Sequence, residues 1–76
     1  MKHLYFYSTS YCHLCDTAYE LVTQIFDINN IEVVEISDDA FLLARYGLNI
    51  PVVQRQDTHA ELNWPFTSSD IIQFLK

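Results

Sequence analysis

Ser8-Thr9-Ser10-Tyr11-Cys12-His13-Leu14-Cys15 decides both the fold and the chemistry predicted for this chain. The preceding run, Leu4-Tyr5-Phe6-Tyr7, has the composition of a buried strand. After Cys12 the apolar residues recur with the spacing of one helical face, which predicts an amphipathic helix beginning at Cys12. That face comprises Leu14, Ala18, Leu21, Val22, Ile25 and Phe26. The two cysteines therefore stand where a strand passes into a helix, which we interpret as a redox site.

The start of a helix favours a thiolate. Backbone N–H groups of the first turn lack helical partners, and the positive end of the helix dipole lies there. Thiols in such places typically have a pKa of ~3.5–7.5 rather than ~8.5. We therefore expect Cys12 to be the nucleophile. Cys15, one turn further and closer to the core, would form a disulfide with it and act as the resolving cysteine.

Two other interpretations of the cysteine pair stay open. The first is a purely structural disulfide, which would close a loop of only four residues. By chain entropy it would stabilise the fold by roughly 2 kcal/mol, and it would link no segments that are distant in sequence. The second is half of a zinc site, because Cys-x-x-Cys is also the spacing of a pair of zinc ligands. A closed zinc site needs two more ligands. His13 lies between the cysteines, and neither His3 nor His59 forms a paired motif. We therefore assign no metal ligands.

Length, composition and charge limit the classes of function. Seventy-six residues make one domain, and a hydrophobic fraction of 50% provides a core and excludes a disordered chain. The formal net charge of −6 would repel a phosphate backbone, which argues against nucleic-acid binding. The apolar run after Met1-Lys2-His3 is too short for a signal peptide or membrane span. We expect a cytoplasmic monomer that does not bind membranes.

The middle of the chain predicts a second strand and a second helix. Asn29-Asn30 breaks the helical pattern, and Ile31 to Ile36 is β-branched and partly alternating, as in a half-exposed strand. A helix between two strands implies a parallel pair with a right-handed crossover. A short helix is predicted over Ala40 to Tyr46. Its N-cap lies in Ser37-Asp38-Asp39, and Gly47 ends it in the left-handed conformation.

The last third predicts a hairpin and a final helix. Pro51 marks the entrance to a strand over Val52 to Arg55, and Ala60 to Asn63 returns antiparallel to it after a polar turn. Thr67 is the predicted N-cap of the final helix, with Asp70 as its capping-box partner. The buried side of this helix is predicted to comprise Ile71, Ile72 and Leu75. Trp64 and Phe66, in the corner before it, are expected in the core, with a wall of the site as the alternative.

The whole pattern resembles the thioredoxin fold, and within it the glutaredoxins. The resemblance rests on the element order, on Cys12-x-x-Cys15 at the start of the first helix, and on Asn49-Ile50-Pro51-Val52-Val53 before the third strand. The resemblance spans nearly the whole chain. The chain is similar to a small bacterial glutaredoxin-like group with a Trp-Pro-Phe corner. It implies a minimal α/β thioredoxin fold over residues 1–76, in the order β-α-β-α-β-β-α. We expect a four-stranded mixed sheet with the first strand central, three helices flanking it, and the first and third helices on one face.

The resemblance also implies roles for individual residues. In the family the first cysteine is the nucleophile, the second resolves, and a cis proline packs against the dithiol; these roles fall on Cys12, Cys15 and Pro51. A cis bond would present the backbone of Ile50 to an extended substrate. The other substrate-binding candidates are Tyr11, His13, Ser68 and Ser69. The two serines would offer N–H groups to a carboxylate, and a protonated His13 would stabilise the thiolate.

Departures from the family pattern leave the substrate open. His13-Leu14 stands where glutaredoxins typically have Pro-Tyr. Asn63 to Ser68 replaces the glutathione-binding Gly-Gly and its following Asp, and a lysine shortly before the first cysteine is also missing. We predict a thiol–disulfide oxidoreductase that acts on a disulfide-containing protein or on glutathione mixed disulfides, with no bound cofactor and with glutathione as a possible co-substrate. The alternative is a redox-inactive binding module, or a protein that binds a metal ion or an iron–sulfur cluster.

Overall fold

The elements of the chain follow the order expected from the sequence. The computed structural model describes residues 3–76, so the expectation for Met1 and Lys2 lies outside the described residues. The elements are β1 (Leu4–Ser8), α1 (His13–Thr23), β2 (Ile31–Glu35), α2 (Ala40–Tyr46), β3 (Val52–Arg55), β4 (Glu61–Asn63) and α3 (Ser68–Phe74). Short 3-10 turns precede β2 and α2. The predicted order of a minimal thioredoxin fold is therefore confirmed.

The sheet brings the ends of three strands together beside the cysteines. Its strand order is β2-β1-β3-β4, with β1 parallel to β2 and antiparallel to β3. The central position predicted for β1 is confirmed. In register, Ser8 at the end of β1 lies opposite Glu35 at the end of β2, and Tyr7 lies opposite Val52 at the start of β3. We call this end of the sheet the dithiol edge, because β1 leads from it directly into the Cys12 loop.

One face of the sheet is covered by α1 and α3, as predicted. Phe6 of β1 is fully buried there, and its ring meets that of Tyr19 edge-on with centroids 5.2 Å apart. The buried members of this cluster are Leu4, Phe6, Cys15, Ala18, Val22, Ile31, Val53, Phe66 and Ile71. Trp64 is half-buried against the same cluster. The corner aromatics therefore lie in or against the core, as expected.

The opposite face is covered by α2 through a pair of stacked tyrosines. The rings of Tyr7 and Tyr46 lie 4.2 Å apart, and both residues are buried with Ile36 and Val52. The Tyr46 hydroxyl donates to Glu61 Oε2 at 2.6 Å. Burial, and then the neighbouring Tyr46, raise the pKa of the Tyr7 hydroxyl above its ordinary value. This face is therefore a packed support for the sheet, and the Tyr7 phenol within it stays protonated.

Two apolar residues predicted to be buried are exposed. Leu14 is 53% exposed because the inward position of the first turn of α1 is occupied by Cys15. Ile72 is 49% exposed because a seven-residue helix buries one narrow stripe, and that stripe contains Ile71 with the half-buried Phe74 and Leu75. The helical period predicted from the sequence is therefore correct, but the buried face of each helix is narrower than predicted.

The prediction for Gly47 was wrong in its conformation. Its φ of −55° and ψ of −29° are right-handed helical, and its N–H donates to the Leu43 carbonyl at 2.8 Å. Among the described residues, no glycine has a positive φ. A Cβ at this position would clash with the carbonyl oxygen of Leu43. Glycine is therefore needed here for close backbone approach at the end of α2.

Candidate active site at the dithiol edge

Cys12 and Cys15 are joined by a disulfide at the start of α1. Their Cα atoms lie 5.1 Å apart. Cys12 is the N-cap residue, with an extended backbone, and is half-buried, whereas Cys15 is 3% exposed and belongs to the core cluster. The sequence placed Cys15 closer to the core, and the structure agrees. Of the two sulfur-bearing residues, Cys12 is therefore the one open to a substrate.

The sulfur of Cys12 accepts the hydrogen bond that caps the helix. The Cys15 N–H donates to Cys12 Sγ at 3.1 Å, and the Asp16 N–H donates to the Cys12 carbonyl at 3.1 Å. An N-cap side chain usually supplies an oxygen at this position. Hydrogen bonds to the charged form of a group favour that form. The backbone therefore favours negative charge on this sulfur once the disulfide is reduced.

A carboxylate at the end of β2 holds the loop that leads to Cys12. The Ser10 hydroxyl donates to Glu35 Oε1 at 3.2 Å, and the Ser37 N–H donates to Glu35 Oε2 at 3.1 Å. Hydrogen bonds from the Thr9 hydroxyl first, and then from Ser37 and Ser10, lower the pKa of Glu35 from 4.5 to about 2. Glu35 is not among the site residues predicted from the sequence. The parallel register that pairs Ser8 with Glu35 is the signal that could have found it.

Tyr11, which directly precedes Cys12, has an unusual backbone conformation. Its φ is 59°, in the left-handed region that bulky side chains rarely adopt, and its side chain is fully exposed. Residues held in such conformations cluster at functional sites. Tyr11, a substrate-binding candidate from the sequence, therefore extends into solvent directly beside Cys12.

The proline segment adjoins the dithiol through Ile50. The Ile50–Pro51 bond is cis and Pro51 is fully buried. Ile50 is half-buried and packs, like Cys12, against the core cluster that contains Cys15. Its N–H already donates to the Tyr46 carbonyl at 3.1 Å, and the Pro51 carbonyl accepts from Trp64. The Ile50 N–H is therefore already bound by α2, so the Ile50 carbonyl is the backbone group with which an extended substrate would have to pair.

The three other substrate-binding candidates, His13, Ser68 and Ser69, are exposed and lie at helix starts. His13 is the first residue of α1, and its carbonyl accepts from the Thr17 hydroxyl at 3.2 Å. Ser68 and Ser69 begin α3, where the predicted capping box is present. The Asp70 N–H donates to the Thr67 hydroxyl at 3.1 Å, and the Thr67 N–H donates to Asp70 Oδ2 at 2.8 Å. The N–H groups of Thr67 and Asp70, on either side of the two serines, are therefore hydrogen-bonded within the capping box.

Two cavities lie at opposite ends of the molecule. The smaller, of about 300 Å³, adjoins Cys15; it is lined by Phe6, Ser8, Thr9, Cys15, Asp16, Tyr19 and Val33. The larger, of about 390 Å³, is lined by His3, Leu4, Phe26, Arg55, Gln56, Asp57 and Leu75. Because β1 begins and β3 ends at the larger cavity, it lies far from the cysteines. The smaller cavity is the one that belongs to the site.

The described residues contain neither a metal-binding cluster nor a helix able to cross a membrane. Within residues 3–76, no three His, Cys, Asp or Glu side chains converge as a metal site requires. No helix in this part of the chain has the length and apolar character needed to cross a membrane.

Comparison with known proteins gives a family and a solved structure. Residues 3–76 match the family described as Glutaredoxin-like domain (DUF836). The crystal structure of the structural-genomics target XcR50 from X. campestris is 38% identical and superposes with a TM-score of 0.84, covering 95% of this chain and 93% of that one. The solution structure of the same target is 36% identical with a TM-score of 0.79, covering 96% and 91%. No curated protein matches the chain.

Proposed function

The chain belongs to the glutaredoxin-like domain family, and from that premise we propose that it is a thiol–disulfide oxidoreductase in which Cys12 attacks and Cys15 resolves. The observation that supports this most directly is the placement of the two sulfurs. Cys12 caps α1 and is open to solvent, while Cys15 lies buried behind it. In that arrangement Cys12 is accessible to a substrate, whereas the Cys15 thiol can react only with Cys12.

The proposed reaction moves two electrons from the dithiol to a substrate disulfide. The Cys12 thiolate attacks one sulfur of the substrate, a mixed disulfide forms, and the other substrate sulfur leaves as a thiolate. Cys15 then loses its proton and attacks Cys12 Sγ, so that the second substrate sulfur leaves and the Cys12–Cys15 disulfide forms. The substrate ends as two thiols. An external thiol donor must then reduce the Cys12–Cys15 disulfide, the state present in the structure.

The substrates proposed are disulfide-containing proteins and glutathione mixed disulfides. Tyr11 and Ile50 would contact the segment on either side of the substrate sulfur, and His13 would influence the charge on Cys12. The first residues of α3, Ser68 and Ser69, are the candidates for a glutathione carboxylate. A reducing cytoplasm is the proposed setting, because it keeps the donor thiols available.

The test uses single-cysteine variants and mass spectrometry. Cys15→Ser should trap a mixed disulfide with glutathione or with a disulfide-bearing protein, because the attacking thiol remains and the resolving thiol is gone. Cys12→Ser should form no such adduct, since its remaining thiol is buried. The proposal fails if Cys12 titrates like a free thiol near ~8.5 and forms no adduct, while zinc or an iron–sulfur cluster co-purifies in stoichiometric amount with both cysteines. That outcome would support the metal-binding alternative.

A further inference from the structure

The outer side of α2 is an apolar face without a partner in the fold. Leu42 and Tyr46 point toward the sheet, whereas Phe41 is 73% exposed and Leu48 is fully exposed. Gly47 keeps right-handed helical geometry, so Leu48 lies about two turns beyond Phe41 on the same side, with exposed Ala44 between them. Large exposed apolar side chains that share a face indicate an interaction surface.

Both ends of α2 reach the dithiol edge. The 3-10 turn before the helix follows directly from Glu35, which binds Ser10 in the Cys12 loop. The segment after the helix leads through Ile50 into β3, whose first residue lies opposite Tyr7. The fully exposed ring of Tyr11 extends from that same loop. Tyr11, Phe41 and Leu48 therefore lie exposed on the segments that join the dithiol edge, and we call them the apolar rim.

The charges around the rim are negative. Glu35 ends β2, Asp38 and Asp39 lie between β2 and α2, and Asp16 is exposed in the first turn of α1. Glu35, like the three aspartates, is ionised near neutral pH, and its hydrogen bonds lower its pKa further.

The fixed cations of residues 3–76 are engaged or lie elsewhere. Arg45 Nη2 lies 3.3 Å from Glu61 Oε2, and its guanidinium stands over the Tyr46 ring. Arg55 is at the opposite end of the sheet, where Nη1 donates to the Phe74 and Lys76 carbonyls. A cationic substrate segment would therefore find carboxylates at the dithiol edge and little repulsion.

We propose that the apolar rim is the docking surface for a protein disulfide carried on a segment of apolar residues flanked by lysine or arginine. The inference rests on the proposed oxidoreductase function and names its preferred substrate class. Glutathione fits less well, because it has two carboxylates, one ammonium group and no large apolar side chain. A second copy of the chain fits less well too, since each copy has a formal net charge of −6.

The test compares synthetic disulfide peptides that share length and apolar residues and differ in flanking charge. A small uncharged disulfide, 2-hydroxyethyl disulfide, reports the chemical step alone. For the unaltered protein, kcat/KM for the basic peptide should exceed that for the acidic peptide by about 10-fold or more at low ionic strength, and the difference should shrink as salt is added. Asp38→Asn should lower the ratio, because it removes one rim carboxylate that caps no helix.

Rim variants test the apolar contribution. Phe41→Ala and Leu48→Ala should each lower the rate on the basic peptide, relative to 2-hydroxyethyl disulfide, by about 10-fold, mainly through KM, as expected for anchors of an interface. Ile28→Ala is the matched control. Ile28 is 54% exposed in the turn before β2, at the end of the sheet away from the dithiol, and its loss should leave the ratio unchanged.

Each outcome separates this inference from the function it rests on. Equal rates on basic and acidic peptides, unchanged ratios in both rim variants, or a preference for glutathione mixed disulfides would overturn the docking surface while leaving the oxidoreductase function standing. Failure of the unaltered protein to reduce even 2-hydroxyethyl disulfide would overturn the proposed function, and the docking surface with it.

Discussion

The hydrogen bond from the Cys15 N–H to Cys12 Sγ can be removed without changing Cys12 itself. Cys15→Ser keeps the backbone donor, whereas Cys15→Pro deletes it, and both variants lack the Cys15 thiol. Cys15 is the third residue of α1, within the first turn where a missing N–H breaks no helical hydrogen bond. The pair therefore isolates one hydrogen bond at the reacting atom.

The magnitude follows from the geometry of that bond. A hydrogen bond to a charged group contributes about 1.5–3 kcal/mol, and 1.36 kcal/mol corresponds to a tenfold change in a protonation equilibrium. Cys12 is half-exposed, so we take the lower end of the range. We expect the thiolate-to-thiol ratio of Cys12 to be about 10-fold higher in Cys15→Ser than in Cys15→Pro. Asp16 opposes this only weakly, because its carboxylate is exposed and screened.

The assay is the rate of alkylation by iodoacetamide as a function of pH. The midpoint for Cys15→Ser should lie about one pH unit below that for Cys15→Pro, and below that of a cysteine in an unstructured peptide. Far-ultraviolet circular dichroism provides the folding control for both variants. Identical midpoints in two folded variants would refute the argument that the helix start stabilises the thiolate.

Three further predictions concern stability and are measured by urea unfolding. Thr67→Ala should cost about 1 kcal/mol, the usual contribution of an N-cap, and an unchanged stability would show that α3 does not depend on its capping box. Gly47→Ala should destabilise by about 1 kcal/mol or more despite the helical φ, because the new methyl group clashes with the Leu43 carbonyl; a gain in stability would contradict this. Because the pKa of Glu35 is lowered from 4.5 to about 2, its contribution to stability is complete above pH 4.5 and is lost as the pH falls toward 2. The stability difference between the unaltered protein and Glu35→Gln should therefore be constant near neutral pH and should shrink over that acid range, and a difference independent of pH would refute the role of the ionised carboxylate.

Patterns that depend on neighbouring residues in sequence predicted most of the fold. The apolar run from Leu4 to Tyr7 indicated a strand buried on both faces, and β1 is central. The Thr67 and Asp70 spacing indicated a capping box that is present in full. These signals are local, because caps and strand burial are set by side chains within a few positions.

What the sequence could not provide is decided by contacts between distant segments. The exposure of Leu14 depends on where the first turn of α1 stands relative to the sheet, and helical periodicity contains no such information. Glycine permits several conformations, so Gly47 alone could not distinguish a left-handed cap from a close backbone approach. The bond between Ser10 and Glu35 joins residues 25 positions apart, and it required the register of two strands.

The cap of α1 would make the amide proton of Cys15 an internal reporter of the proposed thiol–disulfide cycle. That proton is held by a sulfur which would be anionic in the reduced protein, bonded to a substrate in the intermediate and bonded to Cys15 in the oxidised protein. Each species has a different acceptor strength, so the ¹⁵N–¹H resonance of Cys15 should take three distinct positions. A nuclear magnetic resonance titration could then count the populations of all three species in one spectrum, without a label on the substrate.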